Sequence, residues 1–169
     1  DYYNPADREL NRLLYSRMIT FEERGIPKLE LVETYGISQD GTIYNITLRP
    51  DVKWHDGKPL TTDDILFTIN MIRDGDGVVP DDIRSFWTAI DVKTLSDTTI
   101  QFRLEEPFAP FLDYLSFGIL PEHLLGNLSF EQMIDSSFNL QPVGSGPYKF
   151  EGLITENNQI KGVVLKVNQ

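Results

Sequence analysis

Alternating apolar and polar residues mark the strands of this chain. The clearest case runs through Tyr44, Ile46 and Leu48, which alternate with polar neighbours and so predict a strand with one buried face. Asp40 and Gly41 precede it, and an Asp-Gly pair is the turn chemistry that joins two antiparallel strands. Three hairpins are predicted: residues 30–38 with 42–49 across Asp40-Gly41, 90–95 with 99–104 across Ser96-Asp97, and 149–153 with 163–167 across Asn157-Asn158.

Apolar residues at helical spacing predict short helices between the hairpins. The most apolar one begins after Thr61, with Asp64 as its capping-box partner, and is predicted to be largely buried. It is predicted to run to about Arg73 and to end in a left-handed cap at Gly75. Further helices are predicted over residues 7–19, 81–87, 111–115 and 129–136. This order of elements predicts an α+β fold, mostly antiparallel hairpins with short helices.

The length and composition indicate a globular chain and exclude several kinds of partner and chemistry. The 169 residues are enough for one well-cored domain, and 40% hydrophobic with 11% aromatic residues predict a globular chain. The formal net charge of -11 argues against a nucleic-acid or anionic-membrane partner, because both require clustered Lys and Arg. The chain has no cysteine, which excludes disulfides and thiolate chemistry.

No enzyme constellation is evident in the sequence. His55 and His123 are the only histidines, and no sequence signature ties a serine nucleophile to either. Ser145 lies between glycines, but a nucleophile elbow has its glycines two residues away, where Val143 and Pro147 stand here. A secreted hydrolase that uses two carboxylates stays open, because any two acids can meet in space.

Asp74-Gly-Asp-Gly77 is the one stretch that suggests a metal ion. A calcium loop needs six or more oxygen ligands at set spacing and a bidentate acid near its end. The acids stop at Asp76, and Val78 and Val79 follow. We therefore predict a solvated loop here, with no metal site and no cofactor.

Two motifs carry a resemblance to a known family. Residues 48–69, LRPDVKWHDGKPLTTDDILFTI, resemble the signature of the bacterial family 5 extracellular solute-binding proteins, which serve peptide, nickel and related ABC importers. Residues 142–150, PVGSGPYKF, resemble the Pro-Val-Gly-Thr-Gly-Pro-Tyr segment of the same family. Weaker similarities lie at residues 14–19 and 119–123.

The resemblance implies a domain arrangement. The chain would be one segment of a periplasmic-binding-protein-like fold, with residues 1–169 as a single domain. Residues 30–142 would form a small inserted subdomain of the first lobe, and residues 1–29 and 143–169 the flanking pieces of that lobe. It also implies an export signal, and a lipid-bearing cysteine with it, upstream of Asp1.

The resemblance further implies a function outside the cytoplasm, in the periplasm or on the outer face of the membrane. Such a protein closes two lobes around a peptide or related small solute and delivers it to ABC permease subunits. It would be a monomer and not an enzyme, with no nucleic-acid partner. A sensor or interaction module that reuses the same fold is the alternative, because fold does not fix function.

The resemblance also implies candidate ligand-binding residues. Tyr15, Ser16 and Arg17 match the segment that family members pass along their cleft, although the family often has glycine where this chain has Arg17. That arginine is either an exposed side chain or the partner of an acidic group on the ligand. Phe86 and Trp87 are predicted to lie on a loop, where they would either plug the core or contact a ligand.

Overall fold

The computed structural model describes residues 5–22 and 25–168, which build three antiparallel sheets and a set of short helices. The α-helices are α1 (Pro5–Leu14), α2 (Thr62–Asp74), α3 (Asp81–Thr88), α4 (Glu122–Leu125) and α5 (Phe130–Ile134), and 3₁₀-helices span Ala109–Leu115 and Ser137–Leu140. The strands are β1 (Ile19–Phe21), β2 (Pro27–Leu29), β3 (Val32–Ile37), β4 (Ile43–Leu48), β5 (Asp91–Ser96), β6 (Thr99–Arg103), β7 (Tyr148–Glu156) and β8 (Gln159–Val167).

The central sheet has the order β3-β4-β6-β5, with every pair antiparallel. Two of the predicted hairpins are confirmed in it, and they join through β4 and β6, with Ile46 opposite Ile100. Tyr44, Ile46 and Leu48 are buried, as their alternation predicts. The α+β, mostly antiparallel fold class is therefore confirmed.

The core lies between one face of this sheet and the helices. Its largest fully buried side chains include Trp54, Trp87, Phe102 and Phe111. Aromatic contacts dominate it: the ring centroids of Tyr44 and Phe111 are 4.4 Å apart, and those of Phe102 and Phe111 5.3 Å. Such pairs add to the stabilisation that burial of their apolar area already provides. Helix α2 lies against this core, with most of its residues buried or partly buried, as predicted.

The third hairpin, β7–β8, is confirmed and is longer than predicted. Its turn is formed by Asn157 and Asn158, with φ values of 50° and 58°. Two successive left-handed residues match the right-handed twist of the strands, and asparagine tolerates that conformation better than most residues. Helix α1 packs against β7, so the first described helix contacts the last hairpin.

Two predicted helix ends are wrong. The helix predicted to reach Ile19 ends at Leu14, because Ile19 instead pairs with Leu29 in the β1–β2 sheet. The buried residues at the start of this strand continue the apolar spacing of the helix before it, so the sequence pattern did not distinguish the two elements. Helix α2 ends near Gly75 as predicted, but Gly75 has a φ of -76° and is not a left-handed cap. The left-handed residue in this loop is Gly77, with a φ of 72°.

The loop predicted for Phe86 and Trp87 is also wrong, since both residues lie in helix α3. The predicted short helix over residues 81–87 is itself confirmed. Among the described residues, no helix combines the length and the apolar character needed to cross a bilayer.

Candidate functional site

Asp64 is the residue around which the long motif folds. Its buried carboxylate accepts hydrogen bonds from Thr61 N (2.9 Å), Trp54 Nε1 (3.2 Å) and Glu122 N (2.9 Å). Thr61 and Asp64 thus form the predicted capping box, although the spacing did not predict the bonds to Trp54 and Glu122. One carboxylate therefore ties together the turn, the start of α2 and the start of α4.

His55 joins the two motifs to each other. Gly144 N–H donates to His55 Nδ1 (3.1 Å), and His55 Nε2 lies 2.9 Å from Gly146 O. Because Nδ1 must accept, the ring is neutral and its Nε2–H donates. The His55 backbone N–H also donates to Gly144 O (2.8 Å). Burial lowers the pKa of His55, and the hydrogen bond to Gly146 only partly offsets that effect.

The His55 contacts predict acid sensitivity. The pKa of His55 is lowered in the folded state and is about 6.5 in the unfolded state. At pH values between these two pKa values the unfolded chain binds more protons than the folded chain. The free energy of unfolding therefore decreases as the pH falls below about 6.5. We expect the midpoint temperature of unfolding to decrease when the pH is lowered from about 7.5 to about 5.5. The decrease should be smaller in His55→Gln than in the wild type.

The matched control for this prediction is His123→Gln, which removes the other histidine and its 2.7 Å contact with Asp56. This variant should keep the wild-type loss of stability in acid. An equal loss in His55→Gln and in the wild type would contradict the role given to His55.

The Gly-Ser-Gly turn holds the segment that carries three of the candidate ligand-binding residues. Ser16 N–H donates to Ser145 Oγ (3.3 Å), and Ser16 Oγ donates to Ser145 O (3.0 Å). Gly146 N–H donates to Leu14 O (2.8 Å). Ser16 and Ser145 are both buried, and the side chain of each is hydrogen-bonded to the backbone of the other. Ser16 therefore holds the segment in position.

Tyr15 and Arg17 line a cleft that Ser16 does not line. Residues 15–17 follow α1 without helical structure, and Arg17 forms a bridge with Gly118. In an extended segment, residues two apart point to the same side, so Tyr15 and Arg17 share a face that Ser16 does not.

The cleft has a volume of about 630 Å³, in the range of sites that enclose small ligands. Its walls come from α1, α2, α5 and the connections around residues 116–120. It is lined by Asn11, Tyr15, Arg17, Thr68, Met71, Ile72, Val79, Ser116, Phe117, Gly118, Leu120, Leu125, Phe130, Met133, Ile134, Phe138 and Asn139. An apolar wall with a few polar groups is the usual make-up of a ligand pocket.

Two half-buried polar groups in the cleft lack protein partners among the described residues. Within the part of the chain that the structure describes, neither the Tyr15 hydroxyl nor the Arg17 guanidinium makes a hydrogen bond or an ion pair. Burial raises the pKa of the Tyr15 hydroxyl further above physiological pH, where a tyrosine is neutral in any case. Burial also lowers the pKa of Arg17, although an arginine stays charged. Both groups are available as hydrogen-bond donors to a ligand.

The structure does not bring Phe86 and Trp87 into this cleft. The Trp87 ring is fully buried and meets the Phe117 ring edge-on at 5.5 Å, so it lies behind a residue of the cleft wall. Trp87 also borders a smaller adjoining cleft of about 330 Å³. Phe86 stacks on Tyr114, with ring centroids 3.8 Å apart.

Sequence reasoning missed most of the apolar wall. Phe130, Met133 and Ile134 on α5 repeat at i, i+3 and i+4, the spacing of an apolar helix face, and that signal was available in the sequence. Phe117 carries no comparable signal, because it lies outside any regular element. Within the described residues, no group of three or more His, Cys, Asp or Glu is placed to hold a metal ion.

Solved structures of bacterial solute-binding proteins superpose on most of this chain. Against the oligopeptide-binding protein AppA from Bacillus subtilis, in complex with a nonapeptide, the TM-score is 0.81 at 30% identity, covering 98% of this chain and 32% of that one. Against NikZ from Campylobacter jejuni, in complex with Ni(L-His), the TM-score is 0.77 at 36% identity, covering 93% and 30%. The fold matches about a third of a solute-binding protein.

Sequence comparison identifies the family. Its model, bacterial extracellular solute-binding proteins, family 5 Middle, matches residues 27–169. AppA of Bacillus subtilis (strain 168) is 31% identical over 86% of this chain and 27% of its own length. The dipeptide-binding protein of Escherichia coli (strain K12) is 28% identical over 82% and 29%. The chain belongs to family 5 of the bacterial extracellular solute-binding proteins and spans less than a third of the length of these relatives.

Proposed function

We propose that this chain is part of the extracytoplasmic binding component of an ABC importer, which takes a peptide or a related small solute by closure of two lobes. The family supports the transport role, and its relatives are binding proteins for oligopeptides and dipeptides. The observation that carries the proposal is the apolar cleft with two unpaired donors, Tyr15 and Arg17. The solute would pass to permease subunits without chemical change, and the protein would act as a monomer.

The same proposal assigns the domain parts. Residues 30–142 form the inserted subdomain, and residues 1–29 and 143–169 the flanking pieces of the first lobe. Contacts between the flanks support this division, since α1 packs on β7 and Ser16 bonds to Ser145. The cleft lies where the first flank meets the subdomain, so a solute there would touch both.

Each candidate ligand-binding residue takes a specific role in this proposal. Tyr15 and Arg17 contact the solute directly. Ser16 fixes the segment that carries them, through its bonds to Ser145. Trp87 supports Phe117 from behind, and Phe86 extends the same aromatic cluster away from the cleft.

Native mass spectrometry tests the proposal. The full-length protein that carries this chain, purified gently from cells or mixed with a random tripeptide library, should show a discrete bound mass. Tyr15→Ala should reduce the bound fraction at least about tenfold, the effect of losing one well-packed contact of a ligand. Tyr35→Ala changes an exposed tyrosine on β3 and should leave the bound fraction unchanged.

Residues 1–169 alone should bind the same solute weakly or not at all, because lobe closure supplies contacts from both lobes. A full-length protein that carries no solute from cells and none from the library would rule out peptide binding. Equal binding by residues 1–169 and by the full-length protein would rule out the two-lobe site.

A further inference from the structure

The charge of the cleft is opposite to that of the chain. The chain has 26 acidic and 15 basic residues, for a net charge of -11. Among the described residues that line the cleft, none is acidic and Arg17 alone is charged. The lining of the cleft therefore carries a single, positive charge on an acidic protein, and a cationic solute would find no acidic side chain among these residues.

Arg17 is held in place without being neutralised. Its backbone is fixed on both sides, since Leu31 N–H donates to Arg17 O (3.1 Å) and Arg17 bridges to Gly118. Its guanidinium is half-buried, and the charges of Arg12, Glu30 and Glu9 act on it only from beyond ion-pair distance. Half-burying a charge costs free energy unless a counter-charge compensates for it. Among the described residues, Glu30 and Glu9 compensate only in part, because neither forms an ion pair with Arg17 and Arg12 opposes them.

The surroundings of Arg17 are apolar. Phe117, Phe130 and Met133 form part of the same wall, and methionine and aromatic side chains adapt to apolar groups of varied shape. The Tyr15 hydroxyl is a second, neutral donor two residues away. A planar guanidinium matches a carboxylate, which accepts two parallel hydrogen bonds from arginine.

We propose that the cleft selects solutes that carry a carboxylate next to a bulky apolar group, with Arg17 as the partner of the carboxylate. This inference rests on the proposed function and specifies its solute class. A short peptide that ends in an aromatic or branched residue has this chemistry, because its terminal carboxylate lies beside its last side chain. An acidic side chain next to an apolar residue would present the same two groups.

Paired peptides test the inference on the full-length protein. Isothermal calorimetry compares Ala-Ala-Phe with its C-terminal amide, and Ala-Glu-Phe-amide with Ala-Gln-Phe-amide. The first pair tests a terminal carboxylate and the second a side-chain carboxylate. We expect the wild type to bind the carboxylate member of at least one pair about tenfold more tightly or better, as a charge-assisted hydrogen bond to a half-buried arginine should give.

Variants assign that preference to Arg17. Arg17→Gln should lose the preference while still binding the uncharged peptides, and Arg17→Lys should keep part of it. Arg103→Gln is the matched control, because Arg103 is exposed on β6, does not line the cleft and is not among the charges that act on Arg17. Equal midpoints in thermal unfolding would show that the variants are folded.

The outcomes distinguish a failure of the carboxylate inference from a failure of the proposed solute-binding function. Equal affinity for both members of both pairs, or a preference that survives in Arg17→Gln, overturns the carboxylate inference and leaves peptide binding intact. Binding of no peptide, charged or amidated, overturns the proposed function and this inference together.

Discussion

Gly144→Ala is expected to lower the free energy of unfolding by at least about 3 kcal/mol, the upper range for overpacking a rigid site. A Cβ at this position would lie 1.8 Å from Leu14 O and 3.2 Å from His55 Cε1. The first contact is with backbone, so no side-chain rotation relieves it. The turn cannot retreat either, because His55 and Leu14 hold it on both sides through hydrogen bonds to Gly144 and Gly146.

Urea denaturation followed by tryptophan fluorescence measures this loss, with Gly152→Ala as the control. A Cβ on Gly152, in β7, meets nothing within 4 Å, so its change should be within about 0.5 kcal/mol. Gly144→Ala should also weaken solute binding, because it displaces the segment that carries Tyr15 and Arg17. Equal stability of the two variants would show that the turn is looser than its contacts indicate.

Asp64→Ala is expected to cost about 3–5 kcal/mol, because it leaves three donors without their shared acceptor in a buried site. Those donors are Trp54 Nε1, Thr61 N and Glu122 N. The indole of Trp54 is fully buried, so water cannot replace the carboxylate without opening the core. The substitution should therefore destabilise both the turn that carries Trp54 and the start of α4.

Asp63→Ala provides the comparison for this variant. Asp63 is an exposed neighbour in the first turn of α2, and its loss should cost about 0.5 kcal/mol through the helix dipole. Asp64→Asn keeps one acceptor oxygen and should fall between the two. Chemical denaturation of the three variants gives the order directly, and an Asp64→Ala cost close to that of Asp63→Ala would refute the role of Asp64 as a shared acceptor.

Local chemistry explains which elements the sequence could predict. The hairpins were predicted because alternation and Asp-Gly or Asn-Asn turns act over a few neighbouring residues. The capping box at Thr61 and Asp64 was predicted for the same reason. The helix predicted as far as Ile19 was wrong because Ile19 pairs with Leu29 of another strand, and the spacing of apolar residues does not record that pairing.

The candidate site was predicted only in part. Tyr15 and Arg17 came from family resemblance, and the structure places both in the cleft. Ser16 and Trp87 came from the same reasoning, but one is bonded to Ser145 and the other lies behind Phe117. The apolar wall on α5 was missed, since its residues form a cleft only when packed opposite α2.

The sequence by itself determined the hairpins, the start of α2 and the family, because turn chemistry, capping and motif spacing are properties of adjacent residues. Tertiary structure decided which side chains are available to a ligand. Ser145 lies far along the chain from Ser16, yet their mutual hydrogen bonds turn Ser16 away from the cleft and leave Tyr15 and Arg17 lining it. Contacts between segments so far apart depend on the packed fold, and they decide what the cleft can bind.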